Sequence, residues 1–310
     1  MNLKKNRYLL KSMRITFLGT GAAEAFPALY CNCKVCQRAR DLGGRNLRCR
    51  SSALVNEDLL IDYGPDTSPQ CVRFNVDLTK IKDVLITHSH QDHLYMQDVR
   101  HRKLDSRQHG KLVMMTVWGN QDSIAMVIEQ MRDVLMETFG EKKSFTIKPT
   151  REEIIDELSD YLLMQTRVIE PHQALDVGRY KVYTIHAHHK EPELSLNYII
   201  DDGKTRFLYG TDTGVWAKSE WAYIESLGIK MDVVALDCTV GLKPGGGGHH
   251  SNESFLATHA EFISRGLLSP GARFFAHHFS HQWNVVYDDI VKIMSPHGIE
   301  VTYDGLVIET

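Results

Sequence analysis

Three histidines and an aspartate crowd into Thr87-His88-Ser89-His90-Gln91-Asp92-His93, directly after the apolar run Val84-Leu85-Ile86. The apolar run marks a buried strand. Such a strand cannot end on four strongly polar groups unless something offsets their desolvation. A histidine pair at i and i+2 followed by Asp and His cannot share one helix face, but on a turn leaving a strand all four side chains can converge. Imidazole nitrogens and a carboxylate oxygen suit Zn²⁺, Mn²⁺ or Fe²⁺. The stretch therefore predicts a metal centre at the carboxyl end of a strand.

Around this strand the pattern alternates β and α. Strands are expected at 13–18, 84–87 and 111–118, with a hairpin of 53–55 and 59–61 around Asn56-Glu57-Asp58. A helix is expected over 120–140, from the spacing of Ile124, Val127, Ile128, Met131 and Leu135. The second half opens with a short strand at 146–148 and a polar helix at 151–158. Strands follow at 161–169, 180–186, 195–201 and 205–210, with a turn at Asp202-Gly203. Then come a helix at 219–227, a strand at 232–237, a helix at 251–266, a strand at 272–277, a helix at 284–294, and strands at 299–302 and 305–308. Two mostly β stretches, each followed by helices, predict two facing sheets with helices outside. Residues 1–12 are expected to be an extension, and 13–310 a single domain.

Composition excludes more than it specifies. The chain is 43% hydrophobic and 24% charged, with a net charge of -3. There is no overall bias toward nucleic acid or anionic membrane. No apolar run approaches the ~20 residues of a membrane-spanning helix. The basic start has no apolar core or cleavage site of a signal peptide, so the cytoplasm is the expected compartment. The arginines at 38, 40, 45, 48 and 50 could attract phosphate, but a solvated loop is the expectation. Met114-Met115, Trp118 and the 124–135 stripe are expected in the core.

Of six cysteines, Cys31, Cys33 and Cys36 form CNCKVC, a metal-like spacing rather than a disulfide pattern. Three thiolates with one imidazole make a closed tetrahedral zinc site. Cys49, Cys71 and Cys238 lack such spacing and are expected to be ordinary thiols.

With Asp62 in LLIDYG, the HSHQDH motif, a later histidine, Asp212 in LYGTDTG and a histidine near the end, the chain resembles the metallo-β-lactamase superfamily. The opening FLGTGAAEAFP, CNCKVC, LDC at 236–238, FSHQW at 279–283 and YDG at 303–305 make it most similar to the PhnP phosphodiesterases. The resemblance implies an αββα sandwich with a two-metal site at one edge. It implies that His88, His90 and a later histidine hold one divalent ion, Mn²⁺ or Zn²⁺. Asp92, His93 and His278 would hold a second, with Asp212 between them. The later histidine lies in IHAHHKEPE: His189 is favoured over His188, with His186 nearby. Matching HxSH selects His278 over the adjacent His277. Asp62 would orient a histidine, although a plain turn aspartate is the alternative. The family's structural zinc maps to Cys31, Cys33, Cys36 and His281.

Two such ions share a hydroxide and clamp the oxygens of an in-line displacement. The resemblance thus implies hydrolysis of a small phosphodiester, including cyclic ones such as phosphoribosyl cyclic phosphates. His249 in GGGGHHSNE matches the family's non-ligand active-site histidine, with His250 as competitor. Asp92 joins it among the catalytic candidates. The glycines at 245–248 would give flexibility or close approach, and residues 94–110 could contribute substrate contacts. The expected partner is a small phosphodiester rather than nucleic acid or membrane, and a homodimer is compatible with the chain. Two alternatives stay open: tRNA 3′-end processing like RNase Z, which shares HxHxDH, and a PqqB-like metal-binding accessory role without turnover.

Overall fold

The computed structural model describes residues 13–102, 112–139 and 150–310. The expected 1–12 extension, the strand at 146–148 and residues 103–110 of the expected contact stretch lie outside the described residues. The first half holds β1 (Arg14–Gly19), α1 (Lys34–Leu42), β2 (Ser52–Val55), β3 (Leu59–Ile61), α2 (Thr67–Phe74), β4 (Asp83–Leu85), β5 (Met115–Gly119), α3 (Gln121–Phe139), α4 (Arg151–Leu162) and β6 (Met164–Val168). The second holds β7 (Ala174–Val177), β8 (Tyr180–His186), β9 (Leu196–Asp201), β10 (Arg206–Gly210), α5 (Lys218–Ser226), β11 (Met231–Asp237), α6 (Asn252–Ser264), β12 (Leu268–His277), α7 (Tyr287–Met294), β13 (Ile299–Val301) and β14 (Val307–Glu309).

Two seven-stranded sheets, ordered β14-β1-β2-β3-β4-β5-β6 and β13-β12-β11-β10-β9-β8-β7, form the αββα sandwich expected from the sequence. Each sheet is antiparallel on one side and parallel on the other, with the change at β3/β4 and at β9/β10/β11. Parallel strands need crossovers, and these supply the outer helices. Three apolar layers result. Phe17, Ile61, Tyr198, Phe207 and Phe275 fill the space between the sheets. Ile124, Val127, Ile128, Met131 and Ile154 seal α3 and α4 onto the first sheet. Trp221, Phe255, Phe262, Ile290 and Met294 do the same for α5, α6 and α7 on the second. Because both faces of the central strands are covered, they read as continuous apolar runs, as in Val233 to Leu236.

Several expectations fail locally. Helices α1 and α2 and strand β7 have no counterpart among the elements the sequence pattern predicts. Helix α1 buries only Val35, Cys36 and Ala39, a stripe too narrow to register against its charged positions. The strand expected at 161–169 starts at Met164, because α4 runs on to Leu162. The arginine stretch is not a solvated loop. Arg38 and Arg40 ride on α1, and Arg50 pairs with Asp66 at 2.9 Å. Arg48 is buried, donates to Thr20 Oγ1 and to the Thr302 carbonyl (both 2.7 Å), and lies over the Phe279 ring.

Candidate metal centres

The carboxyl ends of β3, β4, β10, β11 and β12 meet at one edge of the sandwich, and each contributes a polar residue there. Three of these, Asp62 after β3, Asp212 after β10 and His278 after β12, have left-handed backbone (φ 61°, 50° and 62°). That conformation is costly outside glycine. It turns each side chain off its strand and into the edge. The same twist separates the adjacent histidines at 277 and 278. His277 stays in the strand and faces Thr302 Oγ1 (3.0 Å) and the Tyr209 hydroxyl (3.4 Å), while His278 swings toward Asp212.

His88, His90 and His189 form one cluster. His88 Nε2 lies 2.8 Å and His189 Nε2 3.1 Å from His90 Nδ1. Two bare imidazole nitrogens cannot face each other this closely unless a proton or cation sits between them. Around one ion with ~2.1 Å bonds they would stand roughly 3.4 Å apart, so only slight opening is needed. Two of the three outer ring nitrogens are already engaged. His189 Nδ1 donates to the Gly248 carbonyl at 3.0 Å, which leaves Nε2 bare, and His88 Nδ1 lies 3.0 Å from Thr87 Oγ1. Burial, then neighbouring imidazoles, push His88 and His90 below the usual histidine range and keep them neutral, the state a ligand needs. His188 turns away from this cluster toward His186.

Asp92, His93, Asp212 and His278 form the second cluster. His93 Nε2 lies 3.0 Å from Asp92 Oδ2 and 2.6 Å from Asp212 Oδ2, and His278 Nε2 lies 3.2 Å from Asp212 Oδ1. His88 Nε2 is 3.4 Å from Asp212 Oδ2, so this carboxylate stands between the clusters. His93 Nε2, His278 Nε2 and Asp212 Oδ1 are buried and crowd together around the Asp212 carboxylate, at 2.6–3.2 Å, without well-directed hydrogen bonds. Orphaned buried atoms are costly, and a cation would satisfy all three. The donor set thus fits divalent ions in both clusters. Burial opposes ionisation of Asp212, but the imidazoles of His278 and His93 hold its carboxyl well below the usual range.

Outer partners fix the ring tautomers. Asp62 is fully buried, accepts from His93 Nδ1 at 2.7 Å, and also takes the Thr87 backbone N–H at 2.9 Å. It is therefore not a plain turn aspartate. Such contacts orient ligating rings and raise their basicity. Thr239 Oγ1 meets His278 Nδ1 at 2.7 Å and donates to Asp237 Oδ2 at 2.9 Å. Glu193 accepts from the Ser89 N–H (2.8 Å), the Ser89 hydroxyl (2.7 Å) and Asn120 (2.8 Å), bracing the histidine turn.

Beside the second cluster, His249 Nδ1 lies 2.9 Å from Asp237 Oδ2 and 3.4 Å from Asp212 Oδ1, with its ring stacked near His278. Burial alone would depress this imidazole. The carboxylates of Asp237 and Asp212 outweigh burial and raise it to about 9. His250 points away, into α6, where Nδ1 meets Ser254 Oγ at 3.0 Å. The glycine run allows close approach rather than looseness at two points. A Cβ on Gly248 would stand 2.8 Å from the His189 carbonyl, and one on Gly214 would stand 2.2 Å from the Gly247 carbonyl. Asp237, Thr239 and Glu193 were not singled out from the sequence. The only cue was Asp237 ending an apolar strand, as Asp62 does.

Three residues beyond His278, His281 Nδ1 lies 3.3, 3.9 and 3.7 Å from Sγ of Cys31, Cys33 and Cys36. Sulfur and nitrogen on one tetrahedral zinc would be roughly 3.5 Å apart. The Cys36 N–H, at the start of α1, helps lower the Cys33 thiol to about 6, whereas burial raises Cys36 to about 12. Cys49, Cys71 and Cys238 are free thiols, each raised by burial.

The β-lactamase superfamily domain model matches residues 58–269, most of the chain, and the protein belongs to that superfamily. A diphosphatase of the PhnP family is similar in structure, with TM-score 0.69 and 22% identity over 96% of this chain and 97% of that one. Zinc-bound PqqB from Methylobacterium extorquens gives 0.68 and 17% over 96% and 100%. The short form of human tRNase Z gives 0.57 and 18% over 96% and 98%. At these identities the likeness concerns the fold. No curated protein matches the chain in sequence. Among the described residues no helix is long and apolar enough to cross a membrane.

Proposed function

We propose that the protein is a dinuclear metal-dependent hydrolase of small phosphodiesters. The observation that carries this reading is the convergence of seven donor residues into two clusters with Asp212 between them, beside His249, whose Nδ1 lies 2.9 Å from Asp237. His88, His90 and His189 would hold one divalent ion, and Asp92, His93 and His278 the other. Bound there, such a pair supplies charge for the phosphoryl oxygens and a nucleophile at neutral pH. The chain's own residues do the rest. Asp62 and Thr239 engage Nδ1 of His93 and His278, which orients each ring so that Nε2 is the nitrogen presented to an ion. Asp237 accepts from His249 Nδ1, leaving Nε2 to carry the proton a departing alkoxide needs. A proton held on His249 would also favour an anionic substrate. The structural neighbour described as a PhnP-family diphosphatase supports phosphoryl chemistry.

The test is a substrate panel: bis-p-nitrophenyl phosphate, cyclic nucleotides, ribose cyclic phosphates, dinucleoside diphosphates and tRNA precursors. Each is assayed with Mn²⁺, with Zn²⁺ and with chelator. Chelator-sensitive cleavage of a small diester is expected. Protein with both clusters filled that cleaves no member of the panel would sink the proposal.

A further inference from the structure

Behind the loop that presents His189, a third group of donors has gathered. His186 closes β8, His188 follows two residues later, and Glu220 sits in the first turn of α5. The Nε2 atoms of both histidines are buried and have no hydrogen-bonding partner. Their rings lie 4.7 Å apart, and one ligand atom from each of the three residues falls within 4.8 Å of the others. The Glu220 carboxylate is buried and tightly held. His172 Nε2 lies 2.6 Å from Oε2, the His186 N–H donates to Oε2 at 3.2 Å, and the Ser219 hydroxyl donates to Oε1 at 2.9 Å. Glu191, the other nearby acid, stands 3.9 Å from His186 Nε2, too far for a hydrogen bond.

A buried carboxylate satisfied by His172 would need neither His186 nor His188. Two orphaned imidazole nitrogens on histidines gathered near the same carboxylate have no such account within the protein. The geometry points to a further divalent cation site built from His186, His188 and Glu220, outside both clusters at the sheet edge and outside the cysteine site. Two imidazoles and a carboxylate suit zinc or another first-row divalent ion. Ligands on one tetrahedral ion stand roughly 3.4 Å apart, so the group, whose donor atoms now lie within 4.8 Å of one another, would close by up to about 1.4 Å on binding. His172 would orient the carboxylate, as outer partners of ligating groups do. The chain turns at this point, with the His189 N–H bonded to the Ala187 carbonyl at 3.0 Å, and the Gly214 N–H bonds the His188 carbonyl at 3.0 Å. An ion here would therefore tie α5 to the loop that carries His189.

The decisive experiment is an anomalous difference map at the zinc edge, from wild-type crystals equilibrated with zinc buffered at micromolar free concentration. A peak between His186, His188 and Glu220, separate from those at the other clusters, is expected. No peak there while the other clusters are filled, or a peak appearing only at millimolar zinc, would overturn the proposal. Zinc counting at the same free concentration provides the second arm. His186→Gln and Glu220→Gln should each bind one zinc fewer per chain than wild type, and an unchanged count in both would also overturn it. Both readouts are independent of whether the protein hydrolyses phosphodiesters.

Discussion

Replacing Asp62 by asparagine exchanges an oxygen for an amide nitrogen and should disarm a metal ligand that Asp62 itself does not replace. Asp62 Oδ1 accepts the Thr87 N–H at 2.9 Å, and Oδ2 accepts from His93 Nδ1 at 2.7 Å. Asparagine has one oxygen to offer. If it stays on Thr87, an NH₂ group faces the His93 N–H, donor against donor. The imidazole escapes by moving its proton to Nε2, the nitrogen that faces Asp92 and Asp212. Loss of an outer partner of a ligating histidine costs about 10–100-fold in metal affinity, about 1.4–2.7 kcal/mol. A reversed tautomer places Asp62→Asn at or beyond the upper end. Asp62→Ala leaves room for water to take the Nδ1 proton and should lose less affinity, while losing more folding stability through the cavity. Competition against a chelating indicator, with metal content measured in parallel, reads both variants. Wild-type affinity in Asp62→Asn, or a greater loss in Asp62→Ala, would refute the reasoning.

His249→Ala should keep both active-site metals yet lose about 10²–10⁴-fold in turnover, as metal analysis and steady-state kinetics on one preparation would reveal; full activity removes it from the mechanism. Cys33→Ser should lose one zinc equivalent and melt earlier in calorimetry, since zinc binding is folding free energy, and an unchanged zinc content would count against the cysteine site. Burial lowers His250 to about 4 from 6.5. As pH falls through that window the unfolded chain takes up a proton that the folded chain refuses, so stability is lost toward acid, by about 3 kcal/mol at most. Denaturant titrations of His250→Asn should therefore show a shallower acid decline than wild type, and parallel declines would contradict this.

The edge of the sandwich was legible because its residues announce themselves locally. HSHQDH follows an apolar strand, and Asp62 and Asp212 each precede a turn. What escaped depends on pairing across long stretches of chain. Asp237 matters because His249 and Thr239 return to it, and Glu193 because it reaches back to Ser89. Nothing in LDC or KEPE signals those bonds. Among IHAHHK, sequence alone left His189 and His188 in competition, and the turn at Ala187 separates them onto opposite sides of the loop. Helix α1 was hidden by its length and charge, and the arginines beside it became anchors only once Thr20, Thr302 and Asp66 came near.

The cysteine site joins residues 250 positions apart, and β14 lies against β1 with Glu309 opposite Arg14. Both closures bring together segments from opposite ends of the sequence. During synthesis β1 therefore emerges long before the neighbour on its outer edge exists, and the CNCKVC thiols wait for an imidazole made some 250 residues later. Contacts of such separation form late, after the entropy of a long loop has been spent. A zinc ion held by these four residues would thus act as a final latch on the nascent chain, holding shut a sandwich whose strand β1 is among the last to be fully paired.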